Sequence, residues 1–187
     1  MNASTISTLK KELSTLPAGD VVDICLRLVK YKKENKELLS YLLFDANNEP
    51  EYIRSVKEEI DLQFAEINFS NLYFAKKSIR KILKITTKYI KYSNHKQTEV
   101  ELLIHFCTKL KKSGIRIAAS NSISNLYTNQ LRKINLAIGS LHEDLQHDYQ
   151  EEIKALNTFW KMSHSLKTFL ENHHLFYKPI HSKERLP

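Results

Sequence analysis

The chain has 187 residues, 42% of them hydrophobic and 27% charged, a composition typical of globular domains that excludes wholesale disorder. Its three glycines and four prolines are too few for a protein built from many hairpins, so the composition predicts helices joined by short connections. The formal net charge of +8 favours an anionic partner.

The N-terminal third begins with two predicted helices. The first spans about Ser4–Leu16 and ends at Pro17. The second starts with Asp20 as its N-cap and runs to about Lys33, with an apolar stripe of Val21, Ile24, Cys25, Leu28 and Val29.

Two more helices are predicted on either side of a turn at residues 47–50. The third helix is marked by Leu38, Leu39, Leu42 and Leu43. Pro50 fits the first turn of the fourth helix, whose predicted core stripe is Ile53, Val56, Ile60, Phe64 and Ile67.

The fifth helix, about Asn71–Tyr92, is the longest and has two distinct faces. The predicted core face contains Leu72, Ala75, Ile79, Ile82, Leu83, Thr86 and Ile90. The other face carries a row of lysines about 21 Å long: Lys77, Lys81, Lys84, Lys88 and Lys91. Like charges at this spacing repel one another, and the helix has no acidic residue, so the row indicates an anion nearby.

Three further helices complete the pattern. The sixth runs from about Gln97 to Lys112, with Val100, Leu103, Cys107 and Leu110 on one face. Residues 113–125, rich in Ser and Asn, predict an irregular linker. The seventh helix is predicted over about Leu126–Gln146 and the eighth over about Tyr149–Glu171, with Trp160 as a packing anchor.

These elements predict a single all-α domain over residues 1–172, made of about seven or eight antiparallel helices. An irregular tail is predicted over residues 173–187, which show no periodicity. The helix lengths suit either a closed bundle or a short stacked-helix array of the HEAT type.

Positive charge is concentrated in one third of the chain. Residues 71–140 contain fourteen Lys and Arg against two acidic residues, whereas residues 1–70 contain nine basic and twelve acidic residues. The pattern predicts a polyanion-binding surface made of Lys77, Lys81, Lys84, Lys88, Lys91, Arg80, Lys112, Arg116, Arg132 and Lys133.

Nucleic acid is the first partner that this surface suggests. Five to eight lysine–phosphate contacts would give a slope of roughly −4 to −7 for log K against log salt. The preponderance of lysine over arginine favours binding without sequence preference. Tyr73, Tyr89 and Tyr92 border the lysine row and could stack on bases.

Two other functions remain open. The chain could be a protein-interaction or structural module whose basic face meets an acidic protein surface, or is covered by its own acidic residues between Glu34 and Glu66. The exposure of the basic face separates this interpretation from the first. The second alternative is a metal-dependent hydrolase using the His–carboxylate cluster His142, Glu143, Asp144, His147, Asp148, Glu151 and Glu152.

Within this cluster Glu143, His147 and Glu151 share one predicted helix face and are weak candidates for metal ligands. His142 and His147 are five residues apart and point about 140° away from each other on a continuous helix, unlike the pair in H-E-x-x-H. A charged helix–helix junction is therefore the preferred interpretation. His105 is predicted to pair with Glu101, four residues earlier.

The sequence predicts a cytoplasmic protein that is not an enzyme and uses no cofactor. Its N-terminus has no secretory pattern, and its longest apolar run, Leu38–Phe44, is too short to span a membrane. Cys25 and Cys107 are predicted to be buried free thiols. Three glycines cannot supply a glycine-rich phosphate loop.

Overall fold

The computed structural model describes residues 2–156, and every regular element within this range is a helix, as predicted. The helices are α1 (Ile6–Thr15), α2 (Ala18–Tyr31), α3 (Lys33–Ser40), α4 (Glu49–Ala65), α5 (Leu72–Ser93), α6 (Lys96–Lys112) and α7 (Asn121–Ile138). An eighth helix, α8, begins at residue 143 and reaches residue 156. A π-helical turn (Tyr41–Asp45) follows α3, and a 3₁₀ turn (Ile117–Ala119) precedes α7.

Helix α6 lies at the centre of a bundle and packs against α4, α5 and α7. It buries side chains on more than one face, including Leu102, Leu103, Ile104 and Phe106. The Tyr52 hydroxyl near the start of α4 donates to the Tyr89 carbonyl near the end of α5 at 3.0 Å, so these two helices are antiparallel. Of the two predicted arrangements, the observed one is a bundle around a central helix.

The boundaries of α4 and α5 follow from local capping. The Asn48 side chain accepts from the Glu51 amide at 3.4 Å, and Pro50 occupies the first turn of α4 as predicted. The Asn71 side chain caps α5 by accepting from the amide of Tyr73 at 3.0 Å. Asn94 ends α5 in the left-handed conformation, with φ of 56°.

The core stripe predicted for α4 is confirmed at Ile53, Val56, Ile60 and Phe64, and Ile67 is also buried but lies after the helix, which ends at Ala65. Phe64 of this stripe packs against Phe106 of α6, with ring centroids 5.5 Å apart. On α5 the prediction is only partly right. Ala75, Ile79, Ile82 and Thr86 are buried, but Leu83 and Ile90 are half-buried and Leu72 is exposed.

The N-terminal helices differ from their prediction in two respects. Helix α2 starts at Ala18 with Pro17 as its N-cap residue, so Asp20 lies in the first turn and is not the cap. None of α1, α2 and α3 contains a buried residue. Cys25 is accordingly half-buried, whereas Cys107 is buried as predicted, and both thiols are free.

The last helices begin earlier than predicted. The irregular segment ends at Ser120, because Ile123 and Tyr127 are buried and hold the following Ser- and Asn-rich residues in α7. Helix α7 ends at Ile138, before Gly139, and does not continue to Gln146. Residues 157–187 lie outside the described range, and with them Trp160, the predicted end of the eighth helix and the predicted tail. No helix of the described part is long and apolar enough to cross a membrane.

Candidate polyanion-binding groove

A groove of about 680 Å³ runs along the outer side of α5. We call it the basic groove. Its lining residues are Arg80, Lys81, Lys84, Lys88 and Lys91, with Leu83, Ile85 and Thr87 between them and Glu34 of α3. The 3.6-residue period of the helix aligns these cations, and Lys81 to Lys91 span about 15 Å along the axis. One strand of B-form DNA rises about 3.4 Å per phosphate, so the groove is long enough to face roughly four phosphates.

Most of the cations in the basic groove carry no acidic partner. Lys81, Lys84 and Lys91 are exposed, and none of them forms an ion pair with a described residue. Arg80 donates from Nη2 to Ser122 Oγ of α7 at 2.5 Å, which fixes one edge of its guanidinium without neutralising the charge. These four side chains present net positive charge to solvent over an aliphatic floor.

Lys88 is the exception, because α3 supplies a carboxylate to it. Its Nζ lies 2.5 Å from Glu37 Oε2, and the Tyr92 hydroxyl donates to the same oxygen at 3.0 Å. The Lys88 ammonium also lies 4.8 Å from the ring centroid of Tyr89. The hydrogen bond from Lys88 lowers the pKa of Glu37 despite partial burial, so the pair is ionised at neutral pH.

The aromatic residues beside the lysine row differ in their availability. Tyr89 packs against the core, and Tyr92 is half-buried with its hydroxyl bonded to Glu37. Burial raises the pKa of Tyr92, and the bond to Glu37 raises it further. Tyr73 is exposed, but it lies at the first turn of α5, outside the lining of the groove. Among the three predicted stacking residues, Tyr73 is the exposed one.

The structure brings together five of the ten predicted polyanion-binding residues. The other five are Lys77, Lys112, Arg116, Arg132 and Lys133, which are exposed but do not line the basic groove. Lys77 precedes the groove by about one turn on α5. Lys112 ends α6, Arg116 lies in the connection after it, and the last two lie on α7. The positive surface thus has a concentrated part on α5 and a dispersed remainder.

The charged residues of α4 pair with α6 or with one another, and none of the described ion pairs of α4 reaches the lysine row on α5. Glu101 of α6 binds Lys57 of α4 at 2.8 Å. Asp61 of α4 contacts Lys109 Nζ and His105 Nε2, each at 2.6 Å. The prediction that His105 pairs with Glu101 is therefore wrong, because the imidazole points across to the neighbouring helix. Burial acts to raise the pKa of Asp61, but the bonds from Lys109 and His105 outweigh it and lower that pKa.

Glu49 forms a second polar junction, at the opposite end of α4. It accepts hydrogen bonds from the hydroxyls of Thr98 at 2.5 Å, Tyr41 at 2.7 Å and Ser93. Burial acts to raise the pKa of Glu49, but the three hydroxyl donors overcome this effect and lower it. The carboxylate is therefore ionised and satisfied inside the bundle, and it is unavailable to the basic groove.

The predicted metal candidates do not converge. Glu143, His147 and Glu151 lie on α8 with exposed side chains. His147 contacts its neighbour Asp148 at 3.8 Å, and Glu151 pairs with Lys154. Among residues 2–156, no group of three His, Cys, Asp or Glu side chains is arranged to hold a metal ion.

The sequence indicates that acidic residues between Glu34 and Glu66 could cover the basic face, and Glu37 and Glu34 are the two from this range that lie beside the lysine row. Both were available as acidic residues of a short helix, but only the three-dimensional packing of α3 shows which lysine they meet. Comparison with models of protein families, with curated proteins and with solved structures finds no match for this chain.

Proposed function

We propose that this protein binds nucleic acid, or another polyanion of similar charge density, through the basic groove. The observation that carries the proposal is the set of unpaired cations sharing one groove, Arg80, Lys81, Lys84 and Lys91. Grouping four like charges on one side of a helix costs stability, and a bound polyanion removes that cost. The acidic residues of α4 have other partners: Asp61 pairs with Lys109 of α6, and Glu51 pairs with Arg54 of α4 itself.

Binding is expected to be independent of sequence. Lysine offers a point charge on a flexible stem, which suits phosphate contacts and gives little discrimination between bases. The one arginine of the groove is already bonded to Ser122, which limits its freedom to form a bidentate contact with a base. We expect duplex and single-stranded DNA to bind with strong salt dependence.

The test is fluorescence anisotropy with a labelled 20-base-pair duplex at 50–200 mM salt. The groove variant is Lys81→Glu, Lys84→Glu and Lys91→Glu together. The matched control is Lys112→Glu, Arg132→Glu and Lys133→Glu, which makes the same change in net charge on exposed residues outside the groove. Circular dichroism establishes that both variants are folded.

The groove variant should lose binding at 150 mM salt while the control retains most of it. Equal losses in the two variants would refute the groove as the site and leave only general attraction to a basic surface. Competition with poly-glutamate separates the possible partners. Displacement of DNA by an equal concentration of glutamate residues would favour an acidic protein surface over nucleic acid.

A second candidate function is protein interaction, and a separate observation favours it. Twelve of the eighteen exposed large hydrophobic residues in the described range lie between residues 6 and 44. Such an excess of exposed large apolar residues in one stretch of the chain favours contact with another protein.

A further inference from the structure

The first turn of α5 carries two exposed aromatic side chains. Tyr73 is 73% exposed and Phe74 is 58% exposed. Their ring centroids lie 5.4 Å apart, and the two ring planes meet at 77°. We call this pair the aromatic corner. Because the rings are nearly perpendicular, they offer faces to two different flat groups and not to a single one.

The aromatic corner lies on the same face of α5 as the basic groove. At about 100° per residue, Tyr73 lies about 20° from Lys84 around the helix axis, and Phe74 lies about 20° from Lys81. Phe74 precedes Lys81 by about 10 Å along the axis. Lys77 lies within this interval, is exposed and forms no ion pair with a described residue. Since all of these residues belong to one continuous helix, the helix itself places the rings, Lys77 and the groove on one surface.

The charges at this end of α5 are opposite to those that a helix N-terminus favours. The first turn contains no acidic residue, and Lys76 and Lys77 follow it directly. The helix dipole is itself positive at the N-terminus, so it favours anions there and disfavours cations. The side chains and the backbone therefore both make the surface beside the aromatic corner positive, and an anion bound there would be stabilised by both.

A ligand that matches this surface has negative charges along about 27 Å, from Tyr73 to Lys91, and free flat rings at one end. Single-stranded nucleic acid has both, since its phosphates follow the backbone and its bases can leave the stack to pack on aromatic side chains. In a duplex the faces of the bases are covered by their neighbours, so the aromatic corner has nothing to stack on. A flat membrane surface would not follow the concave groove beside α5.

We propose that the aromatic corner and the basic groove together bind single-stranded nucleic acid. The phosphates lie along the lysines from Lys77 to Lys91, and two bases stack on Tyr73 and Phe74. This inference rests on the proposed function and adds the form of nucleic acid that the site prefers. The lysines contribute to the binding of any polyanion, whereas the two rings contribute only when bases are free to stack.

The test compares three labelled ligands by fluorescence anisotropy at 100 mM salt. They are a 20-nucleotide oligothymidylate, a strand of equal length whose residues all lack bases, and the 20-base-pair duplex. Tyr73→Ala with Phe74→Ala should lower the affinity for oligothymidylate about 30-fold, taking about 5-fold for each lost stacking contact. The affinities for the abasic strand and the duplex should not change. The slope of log K against log salt should also stay the same, because the variant keeps every phosphate contact.

Two control variants accompany the alanine pair. Tyr31→Ala with Phe44→Ala removes two aromatic side chains that are 78% and 77% exposed and do not line the basic groove, and it should bind like the wild type. Tyr73→Phe keeps the ring and should retain the affinity for oligothymidylate. The cap of α5 uses the backbone amides of residues 73 and 74, which all these substitutions leave in place, and circular dichroism establishes the fold.

The outcomes separate this inference from the proposed function. Equal binding of oligothymidylate and the abasic strand by the wild type would overturn the inference and leave polyanion binding standing. Equal losses of oligothymidylate and duplex affinity in the alanine variant would do the same. If none of the three ligands binds, the proposed function is wrong and the inference with it. Vesicles of phosphatidylcholine and phosphatidylserine are a fourth ligand: if the alanine variant loses only vesicle binding, the rings serve a membrane surface and the inference is wrong.

Discussion

Neutralising Glu37 should strengthen polyanion binding. A substitution that only destabilised the fold would not increase the affinity. The Glu37 carboxylate lies 2.5 Å from the Lys88 ammonium, so it neutralises part of the charge that Lys88 would otherwise present to the basic groove. Glu37→Gln removes the negative charge and keeps an oxygen that can accept from the Tyr92 hydroxyl. Lys88 then becomes available as one more phosphate contact, beside Lys84 and Lys91.

The magnitude follows from counterion release. One added contact to duplex DNA should steepen the slope of log K against log salt by about 0.9. If that contact contributes nothing at 1 M salt, affinity rises by about 15-fold at 50 mM and about 4-fold at 200 mM. These are upper estimates, because Glu37 only partly neutralises Lys88 in the wild type. The lost ion pair should lower the free energy of unfolding by about 1 kcal/mol, so the variant remains folded.

The assay is anisotropy with the same labelled duplex at four salt concentrations. Glu58→Gln is the control, since it makes the same change in net charge at an exposed residue of α4 that does not line the groove. The advantage of Glu37→Gln over this control should shrink about 3.5-fold between 50 and 200 mM salt. An unchanged slope, or an equal gain from Glu58→Gln, would refute the role assigned to Lys88.

Three further predictions concern the bundle that presents the groove. Phe106→Ala removes a ring buried at the centre of α6 and should cost about 3–5 kcal/mol, measured by urea unfolding. Asn94→Ala should cost about 1 kcal/mol in the same assay while Asn94→Gly costs none, because φ is 56° there; equal effects would contradict the cap. Asp61 has a lowered pKa, so its bonds to His105 and Lys109 stabilise the fold above its ordinary value of 3.8 and are lost as pH falls through the lowered one. In Asp61→Asn the melting temperature should therefore fall less steeply between about pH 5 and 3 than in the wild type. An equally steep fall in the variant would contradict this.

The sequence predicts best where burial and periodicity agree. All four predicted core residues that lie within α4 are buried, because that helix has one main buried face and a 3.6-residue period identifies such a face. Tyr52, beside Ile53, is buried as well and was not predicted. Helix α6 is buried on several faces, so the predicted stripe of Val100, Leu103, Cys107 and Leu110 is correct but covers only half of its buried residues. Leu102 and Phe106 lie off the stripe and could be found only from the central position of the helix.

The predicted helix boundaries are wrong where tertiary contacts override the local conformational preference of the residues. Residues 121–125 consist mostly of Ser and Asn, which favour turns, yet Ile123 is buried and holds them in α7. The break at Gly139 was missed because Leu141 and Leu145 continue the apolar spacing beyond it. Asp20 is a plausible N-cap by residue type, but the chain already turns into α2 after Pro17.

The way in which acidic and basic residues pair between helices bears on the proposed function. Helix α4 is the antiparallel neighbour of α5, so its acidic residues could have formed ion pairs with the lysines of α5. Instead Lys57 and Asp61 of α4 exchange charges with α6, and Glu49 is held by hydroxyl groups. Between residues 2 and 156, Glu37 alone reaches the lysine row by an ion pair, and it does so from α3, a helix with no buried residue. The neutralising group is thus attached to a helix outside the buried core, and we expect a competing polyanion to displace it from Lys88 without disturbing that core.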